Sequence, residues 1–331
     1  MNWKRSRSNC LIFYNCLPMT NHSGKLVIFS APSGAGKTTL VESMLFEGGV
    51  IDRRGDVDHK NTVSDYHQIE QENQTSMYSS VMYTEYNDKK INILDVPGAD
   101  DFVGGTVSSL HVADTGVILV NAQNGVEVGT EIHSRWLEKF NKPAVVVVNK
   151  CDHDQANFDK AFETIKESLG GNAVLAQYPV NTGPGFDSII DIILFKLFKY
   201  PKGGGKPEIT DIPDSEMDRA DELRNELIEK AAENDEELLE LFFEKGTLSE
   251  DEMRQGIKAG MLNHELFPVF CVSALNDMGS GRLMGFIDNV APAAGDLKPE
   301  QSVEGKTVEP TIKAPTALFV FKTVHLPNLG Q

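Results

Sequence analysis

Residues 26–39 read LVIFSAPSGAGKTT, and the pattern LVESMLFEG continues from residue 40. An apolar run, a glycine-rich turn, a lysine, a threonine and a helical pattern follow one another in the order of a phosphate-binding loop. In such a loop, backbone N–H groups and a helix N-terminus surround the phosphates, and the lysine reaches the β- and γ-phosphates. The hydroxyl of the next residue holds Mg²⁺. The stretch therefore predicts binding of a nucleoside triphosphate together with Mg²⁺.

The strict form of this motif begins with glycine, where the chain has Ala31. Alanine fits there if the residue does not need a positive φ. We expect Lys37 to contact phosphate and act in catalysis, and Thr38 to ligate the metal. The nucleotide-binding residues predicted in this loop are Ser33, Gly34, Ala35, Gly36, Lys37, Thr38 and Thr39.

The chain is acidic, with 49 Asp and Glu residues against 31 Lys and Arg and a formal net charge of −18. Its overall charge does not attract nucleic acid or anionic membranes, so we expect neither DNA nor a membrane as a partner. Any contact with RNA must then be local. With 331 residues and 40% hydrophobic content, the chain suits one large or two ordinary domains.

The four cysteines are scattered and form no C-x-x-C pair, which favours reduced thiols in a cytoplasmic protein over disulfides or a zinc site. Near the N-terminus, basic residues precede the apolar run LIFY, which is too short for a signal peptide. We therefore interpret residues 1–24 as a disordered leader.

Apolar, β-branched runs alternate with helical patterns along the chain. Because these runs are apolar throughout, they predict strands buried on both faces, and the alternation predicts a doubly wound, mostly parallel α/β fold. Residues 49–79 predict a long polar loop, and the alternating segment SVMYTEY at 80–86 predicts an antiparallel edge strand. The predicted core strands are 26–29, 91–96, 116–120, 144–148 and 268–272, and the predicted helices are 37–48, 129–140, 158–169 and 281–289.

The regular alternation breaks after residue 152, and residues 173–265 predict a subdomain inserted into a nucleotide-binding domain that spans 25–290. The charged face of its acidic helix is interpreted first as solvated surface and second as a partner surface. A Pro- and Gly-rich linker and the strand-like start of a further domain follow. The segments predicted are a strand at 173–180, an apolar helix at 189–200, the acidic helix at 215–244, the linker at 291–315 and the further domain at 316–331.

Asp95, in the segment ILDVPG, closes a predicted core strand and is followed by Pro97 and Gly98. In P-loop nucleotide hydrolases such an aspartate holds Mg²⁺, and the glycine N–H contacts the γ-phosphate. We therefore assign Asp95 to the metal and Gly98 to catalysis.

The segment NKCD follows another strand and supplies an amide, an alkyl stem and a carboxylate. The carboxylate can accept hydrogen bonds from both N1–H and the 2-amino group of guanine, and adenine has no such pair of donors. Ser273 and Ala274, which follow VFCV, place a backbone N–H near the expected position of guanine O6. These motifs predict GTP and GDP as ligands, and the predicted base-binding residues are Asn149, Lys150, Asp152, Ser273, Ala274 and Leu275.

From about residue 39 to residue 331, the chain resembles the nucleotide-binding domain of elongation factor G and its paralogues. The resemblance is carried by GDVDHKNTVSDY, INILDVPGADDFVGG, NKCD, NDEELLELFFEKGTLSEDE, PVFCVSAL and TALFVFKTVH. It implies the P-loop GTPase fold, with the start of a β-barrel domain at 316–331. It also implies a translational GTPase in ribosomal translocation, whose partners on the ribosome are rRNA and stalk proteins.

Two positions near the phosphates depart from the family pattern. The family switch reads D-T-P-G-H, in which the histidine positions the attacking water, and this chain has Ala99 at that place. A methyl group cannot orient water, so we expect weak GTP hydrolysis. The family's metal loop reads R-G-I-T-I and aligns with NQTSM, which leaves Ser76 as the candidate metal-binding hydroxyl.

A third departure lies at residues 24–39, where KLVIFSAPSGAGKTT resembles the start of guanylate kinase. A guanylate kinase needs a GMP site rich in Arg, Tyr and Ser soon after this loop, and residues 40–90 show the elongation-factor pattern instead. The sequence therefore favours a GTP-binding domain with weak hydrolysis. The alternatives are a non-catalytic, GTP-dependent ribosome-binding module and a guanylate kinase.

Overall fold

The computed structural model describes residues 24–302, 304–311, 314–315 and 318–323, with the backbone alone described at Asp100. The predicted leader therefore lies outside the described residues except for Gly24. Of the predicted barrel start, only residues 318–323 are described, and these six contain no strand.

Strands and helices alternate through most of the described chain. The strands are β1 (Lys25–Ser30), β2 (Ser80–Tyr86), β3 (Lys89–Asp95), β4 (Thr115–Asn121), β5 (Ala144–Asn149), β6 (Ala173–Leu175), β7 (Gln177–Pro179), β8 (Ser188–Asp191), β9 (Lys196–Lys199), β10 (Glu208–Thr210), β11 (Phe267–Cys271), β12 (Glu300–Gln301) and β13 (Thr307–Val308). The helices are α1 (Lys37–Glu47), α2 (Gln68–Asn73), α3 (Val103–Leu110), α4 (Val128–Lys139), α5 (Phe158–Ser168), α6 (Asp214–Ala232), α7 (Glu236–Lys245), α8 (Glu250–Asn263) and α9 (Ser280–Asn289).

Seven strands form the main sheet in the order β2-β3-β1-β4-β5-β11-β6. All neighbours pair in parallel except β2, which runs antiparallel to β3 at one edge. The hairpin between them turns at Asn87 and Asp88, which both have positive φ, as a tight two-residue turn requires. The predictions of a mostly parallel α/β sheet, of its five core strands and of the antiparallel edge strand are confirmed.

The core strands are buried because their side chains are apolar on both faces. In β4 and β5 every residue is buried. Neighbouring β4 residues belong to two different apolar clusters, Val117 to one that includes α1 and Ile118 to one that includes Leu110 of α3 and Leu137 of α4. The four predicted helices match α1, α4, α5 and α9 to within one residue at each end. α4 and α5 bury one face, whereas α1 and α9 are buried over most of their residues.

A second sheet, of order β10-β9-β8-β7, lies between β6 and β11 in the sequence, together with α6, α7 and α8. The predicted apolar helix at 189–200 is wrong, because β8 and β9 form an antiparallel hairpin there. The fully buried Asp191 carboxylate accepts from the N–H of Leu194 at 2.8 Å, and Phe195 has φ 55°, so a turn interrupts the apolar run.

The predicted strand at 173–180 is divided between the two sheets at Ala176. The Ala176 N–H donates to the Val269 oxygen of β11, and its carbonyl accepts from the N–H of Ile192 just after β8, both at 2.9 Å. A single residue is thus hydrogen-bonded to both sheets. The predicted acidic helix is likewise two helices, because Asp235 accepts from the N–H groups of Glu237 and Leu238 and begins α7.

One continuous cluster of buried apolar residues extends from β1 through the second sheet to α9. The apolar stripe of α6 belongs to it through Ala220, Leu227 and Ala231, which have no exposed surface. In the predicted linker, β12 and β13 form a short antiparallel ladder. None of the helices in the described part of the chain is both long and apolar enough to cross a membrane.

Candidate nucleotide-binding site

The loop between β1 and α1 lies where β3 and β4, the next two parallel strands along the chain, flank β1 on opposite sides. Ligands of open α/β sheets bind at such a switch point, beyond the carboxyl ends of the strands. Gly34 and Gly36 have φ 86° and 84°, whereas Ala31 has no positive φ. Alanine at the first motif position therefore causes no backbone strain, and Ser33 to Gly36 lead directly into the first turn of α1.

Gly36 is needed at the end of this loop because two other side chains lie against it. A Cβ atom there would stand 2.5 Å from Asn149 Nδ2 and 3.6 Å from the Lys150 side chain. Asn149 Nδ2 donates to the carbonyl oxygen of Ala35 at 2.9 Å. The glycine lets the phosphate loop and the NKCD segment approach closely.

Lys37, Thr38 and Asp95 meet beneath the loop and are all buried. Lys37 Nζ lies 2.5 Å from Asp95 Oδ1 and also donates to the carbonyl oxygen of Val96. Thr38 Oγ1 lies 3.4 Å from Asp95 Oδ2. The ammonium group and the hydroxyl predicted to serve phosphate and metal thus share one carboxylate. Thr39, the next residue, is in the first turn of α1.

The oxygen atoms around Thr38 fit a Mg²⁺ ion. Ser76 Oγ lies 3.5 Å from Thr38 Oγ1, so the long loop brings the predicted third ligand to the other two. Asp65 hydrogen-bonds Ser76, and burial raises the pKa of Asp65 to about 6, helped by the nearby negative charge of Asp95. Hydroxyl and carboxylate oxygens are the protein ligands Mg²⁺ prefers, with the remaining positions left to phosphate and water. Asp65 gave no signal in the sequence, because it is one of many acidic residues in a polar loop.

Gly98 packs directly against the phosphate loop. A Cβ atom there would overlap the carbonyl oxygen of Ala31 and approach Ser33 N to 3.0 Å. Ala99 follows it and is partly buried. Two histidines further along the chain are in or next to helices: His111 follows α3 and its ring packs on Phe140, and His133 is buried within α4.

On the base side, Asn149 connects two loops. Its Oδ1 accepts a hydrogen bond from the N–H of Ala274 at 3.0 Å, and its Nδ2 donates to the carbonyl oxygen of Ala35. Asp152 Oδ2 accepts from Asn276 Nδ2 at 2.9 Å, and the Asn276 N–H donates to Ser273 Oγ at 3.2 Å. The NKCD segment and residues 273–276, here called the base loop, therefore form one hydrogen-bonded unit.

Lys150 and Cys151 complete that segment in different ways. Lys150 has φ 64°, and its alkyl stem lies beside Gly36 at the phosphate loop. Cys151 is fully buried, and burial raises the pKa of its thiol to about 12, so it stays protonated and serves packing rather than chemistry. The Leu275 side chain is 62% exposed, as a residue at the rim of a base pocket would be.

The long loop is held by side chains that the sequence analysis did not single out. The buried Glu42 carboxylate, on α1, accepts from the N–H groups of Gly55 at 2.8 Å and Val63 at 2.5 Å. Ser43 Oγ donates to the carbonyl oxygen of Ala274 at 2.7 Å. The helix that follows the phosphate loop thus contacts both the long loop and the base loop.

Residues 24–293 match the family model described as the elongation factor Tu GTP binding domain. The match includes the phosphate loop, the segments DVPGA and NKCD, and the base loop. Among solved structures, the chain is similar to a crystal structure of a protein from Thermus thermophilus, with a TM-score of 0.77 and 28% sequence identity. The similarity covers 82% of this chain and 41% of the Thermus chain, so the chain spans less than half the length of that relative.

Proposed function

The chain belongs to the family of elongation factor Tu GTP-binding domains, the domains of translational GTPases, and we propose that it is an elongation factor G-like GTP-binding domain with weak GTP hydrolysis. The observation that carries the proposal is the position of Asn149, whose side-chain amide bonds both the phosphate loop and the base loop. A nucleotide lying across the two loops would meet phosphate and guanine contacts in one preformed site.

In this proposal, Asp152 selects guanine by accepting from N1–H and the 2-amino group. Each hydrogen bond to a charged partner is worth roughly 1.5–3 kcal/mol, which is enough to discriminate against adenine. The alkyl stem of Lys150 stacks on the base, and the base loop receives O6. The residues proposed for nucleotide binding are Ser33, Gly34, Ala35, Gly36, Lys37, Thr38, Thr39, Asn149, Lys150, Asp152, Ser273, Ala274 and Leu275.

Thr38, Ser76 and Asp95 would hold Mg²⁺, which when bound would neutralise part of the negative charge of the phosphates. Lys37 would exchange part of its contact with Asp95 for phosphate oxygens, and Gly98 would direct its N–H to the γ-phosphate. Both groups stabilise charge on the transferring phosphoryl group, which is most of what a protein contributes to this reaction.

Hydrolysis is proposed to be weak because the methyl group of Ala99, at the place of the family histidine, cannot orient the attacking water. Ala99 ends in a methyl group, the ring of His111 packs on Phe140, and His133 is buried within α4. This observation also favours the second candidate, a non-catalytic module that binds the ribosome in its GTP form. In both cases the proposed partners are rRNA and stalk proteins of a cytoplasmic ribosome, with no DNA or membrane partner.

Isothermal titration calorimetry with GDP, GTP, ADP and ATP in the presence of Mg²⁺ tests the nucleotide proposal. We expect guanine nucleotides to bind much more tightly than adenine nucleotides. Equal affinity for GDP and ADP would contradict it.

Product analysis separates the candidate activities. A weak GTPase releases phosphate from GTP slowly with ribosomes, and a non-catalytic module releases none while still pelleting with ribosomes in GTP. A guanylate kinase, the alternative suggested by residues 24–39, would form ADP from ATP and GMP. Rapid phosphate release without any substitution would contradict weak hydrolysis.

A further inference from the structure

One side chain of the long loop reaches the base loop. Arg54 Nη1 donates to the carbonyl oxygens of Ala274 at 3.2 Å and Leu275 at 3.0 Å. The same nitrogen lies 3.3 Å from Ser43 Oγ, and the guanidinium is 5.9 Å from the ring centroid of Phe46. A single cation thus contacts two successive carbonyl groups next to the proposed guanine pocket.

These contacts fix the direction of one peptide group. The carbonyl oxygen of Ala274 accepts from Arg54 and also from Ser43 Oγ at 2.7 Å. The chain has no cis peptide bond in its described part, so this C=O and the N–H of Leu275 point in opposite directions. With the oxygen held toward α1, the Leu275 N–H faces the other side of the loop.

The Leu275 N–H is also the available donor of the base loop. The N–H of Ala274 is used by Asn149 Oδ1, and the N–H of Asn276 by Ser273 Oγ. The N–H of Leu275 makes no hydrogen bond with the described residues. A positive charge on the carbonyl side of a peptide polarises it and strengthens its N–H as a donor.

We propose that Arg54 is a positioning residue for guanine recognition, which holds and polarises the Ala274–Leu275 peptide so that the Leu275 N–H is presented to guanine O6. This inference rests on the proposed function of the site as a guanine nucleotide site. Arginine suits the role because its guanidinium is always charged and offers several donors in a fixed geometry. The effect extends from the long loop to the base, although Arg54 itself touches no nucleotide atom.

The test compares GDP with 6-thio-GDP, which changes the acceptor at position 6 and keeps the groups that face Asp152. Calorimetry with the full chain measures both affinities for the unsubstituted protein, Arg54→Gln and Arg54→Lys. We expect the unsubstituted protein to prefer GDP, and Arg54→Gln to lose about tenfold in GDP affinity, as for one hydrogen bond. Its affinity for 6-thio-GDP should change little, so that the ratio of the two affinities falls toward one. Arg54→Lys keeps the positive charge, so its affinity for GDP should lie between those of the unsubstituted protein and Arg54→Gln.

Arg53→Gln is the matched control, because Arg53 is exposed and makes no hydrogen bond or ion pair with the described residues. It should bind both ligands like the unsubstituted protein. The positioning role is overturned if Arg54→Gln lowers the affinities for GDP and 6-thio-GDP by the same factor. It is also overturned if Arg54→Gln changes neither affinity. Arg54→Lys gives the same comparison if Arg54→Gln does not fold, as judged by circular dichroism. Failure of the unsubstituted protein to prefer GDP over ADP would instead overturn the proposed function itself.

Discussion

Residue 99 has only a methyl side chain, and it follows Gly98, which packs against the phosphate loop. The phosphate and metal groups, Lys37, Thr38 and Asp95, are assembled without any contribution from it. Binding of nucleotide and orientation of water are therefore carried by different residues. A change at position 99 should therefore alter the orientation of the water and leave nucleotide binding unchanged.

We expect Ala99→His to raise the rate of GTP hydrolysis on ribosomes by about 10²–10³, the usual value of one preorganised hydrogen bond in a transition state. GTP affinity should be unchanged. Single-turnover phosphate release with ribosomes, for both proteins, gives the rates. Ala99→Leu is the control for size, and an equal gain with leucine would contradict the role of the imidazole.

Asp152 is expected to choose the base through its charge. In Asp152→Asn, the amide can donate where the carboxylate could only accept, so the preference should shift from GDP to xanthosine diphosphate by at least about tenfold. Competition titrations with both nucleotides measure the shift. Asp154→Asn, two residues away and exposed, should keep the preference for GDP. An unaltered preference in Asp152→Asn would show that another group reads the base.

Among single residues, the sequence identified those whose type and position in a motif imply their chemistry, such as Lys37 and Asn149. It could not identify Arg54 or Glu42, because their roles depend on partners that the fold brings close. The Ala274 carbonyl is 220 residues from Arg54 in the chain. No local pattern distinguishes such an arginine from its exposed neighbour Arg53.

Among the elements, α1 has contacts beyond the phosphate loop, because Glu42 holds two backbone N–H groups of the long loop. In Glu42→Gln, the amide nitrogen cannot accept, so one buried N–H loses its partner at a cost of about 1–3 kcal/mol. We expect faster hydrogen exchange at residues 55–63 and weaker binding of Mg²⁺–GTP.

Hydrogen exchange with mass spectrometry measures the first effect and calorimetry the second. Glu85→Gln, on the exposed face of β2, serves as the control and should change neither. Unchanged protection of residues 55–63 in Glu42→Gln would show that other contacts hold the long loop.

The exposed acidic face of α6 is interpreted first as solvated surface, and its second interpretation is a partner surface. Rim charges at an interface act mainly on the association rate and on its salt dependence. We expect Asp221→Asn with Glu222→Gln to weaken binding to ribosomes severalfold and to leave GDP affinity unchanged. Co-sedimentation with ribosomes at several salt concentrations measures the effect. The same neutralisation of Glu131 and Glu138 on α4 is the control, and equal effects of the two pairs would argue against a specific surface on α6.

Helices and strands with regular apolar spacing could be predicted from the sequence. The segment at 189–200 shows where apolar spacing fails to distinguish the two. Its apolar residues suit a helix or a strand equally well, because spacing alone does not separate a short buried helix from a buried strand. The turn there is stabilised by Asp191, whose other partners are Gln177 and Arg282. Those residues lie on β7 and α9, so the sequence around position 191 does not contain the information that decides the local structure.

For the molecule as a whole, Asp114 makes stability depend on pH. It is buried at the amino end of the main sheet and accepts from the N–H of Leu26 at 2.8 Å. Burial raises its pKa from 3.8 to about 7, although the hydrogen bond and the nearby Lys142 oppose the shift. Between these two pKa values the folded state binds more protons than the unfolded state, so this residue lowers the free energy of unfolding as the pH rises.

We therefore expect the unsubstituted protein to lose about 2 kcal/mol of stability from this residue between pH 5 and pH 7. Asp114→Asn should show a flatter dependence, because the amide does not titrate and its oxygen can still accept from Leu26. Urea unfolding at pH 5, 6, 7 and 8 gives the comparison, with the exposed Asp218→Asn as control. Parallel pH dependences in Asp114→Asn and the unsubstituted protein would contradict the assignment.

Ala176 is bonded to both sheets through its own N–H and C=O. A hinge needs a few residues whose backbone dihedrals can change freely, and no such residues lie between β6 and β7. The second sheet should therefore turn with the main sheet as one rigid body. A partner that binds α6 would then also fix how the nucleotide-binding site is oriented relative to that partner. Movement near the nucleotide would then come from the long loop. Its contacts with α1 are side-chain hydrogen bonds, which can break one at a time.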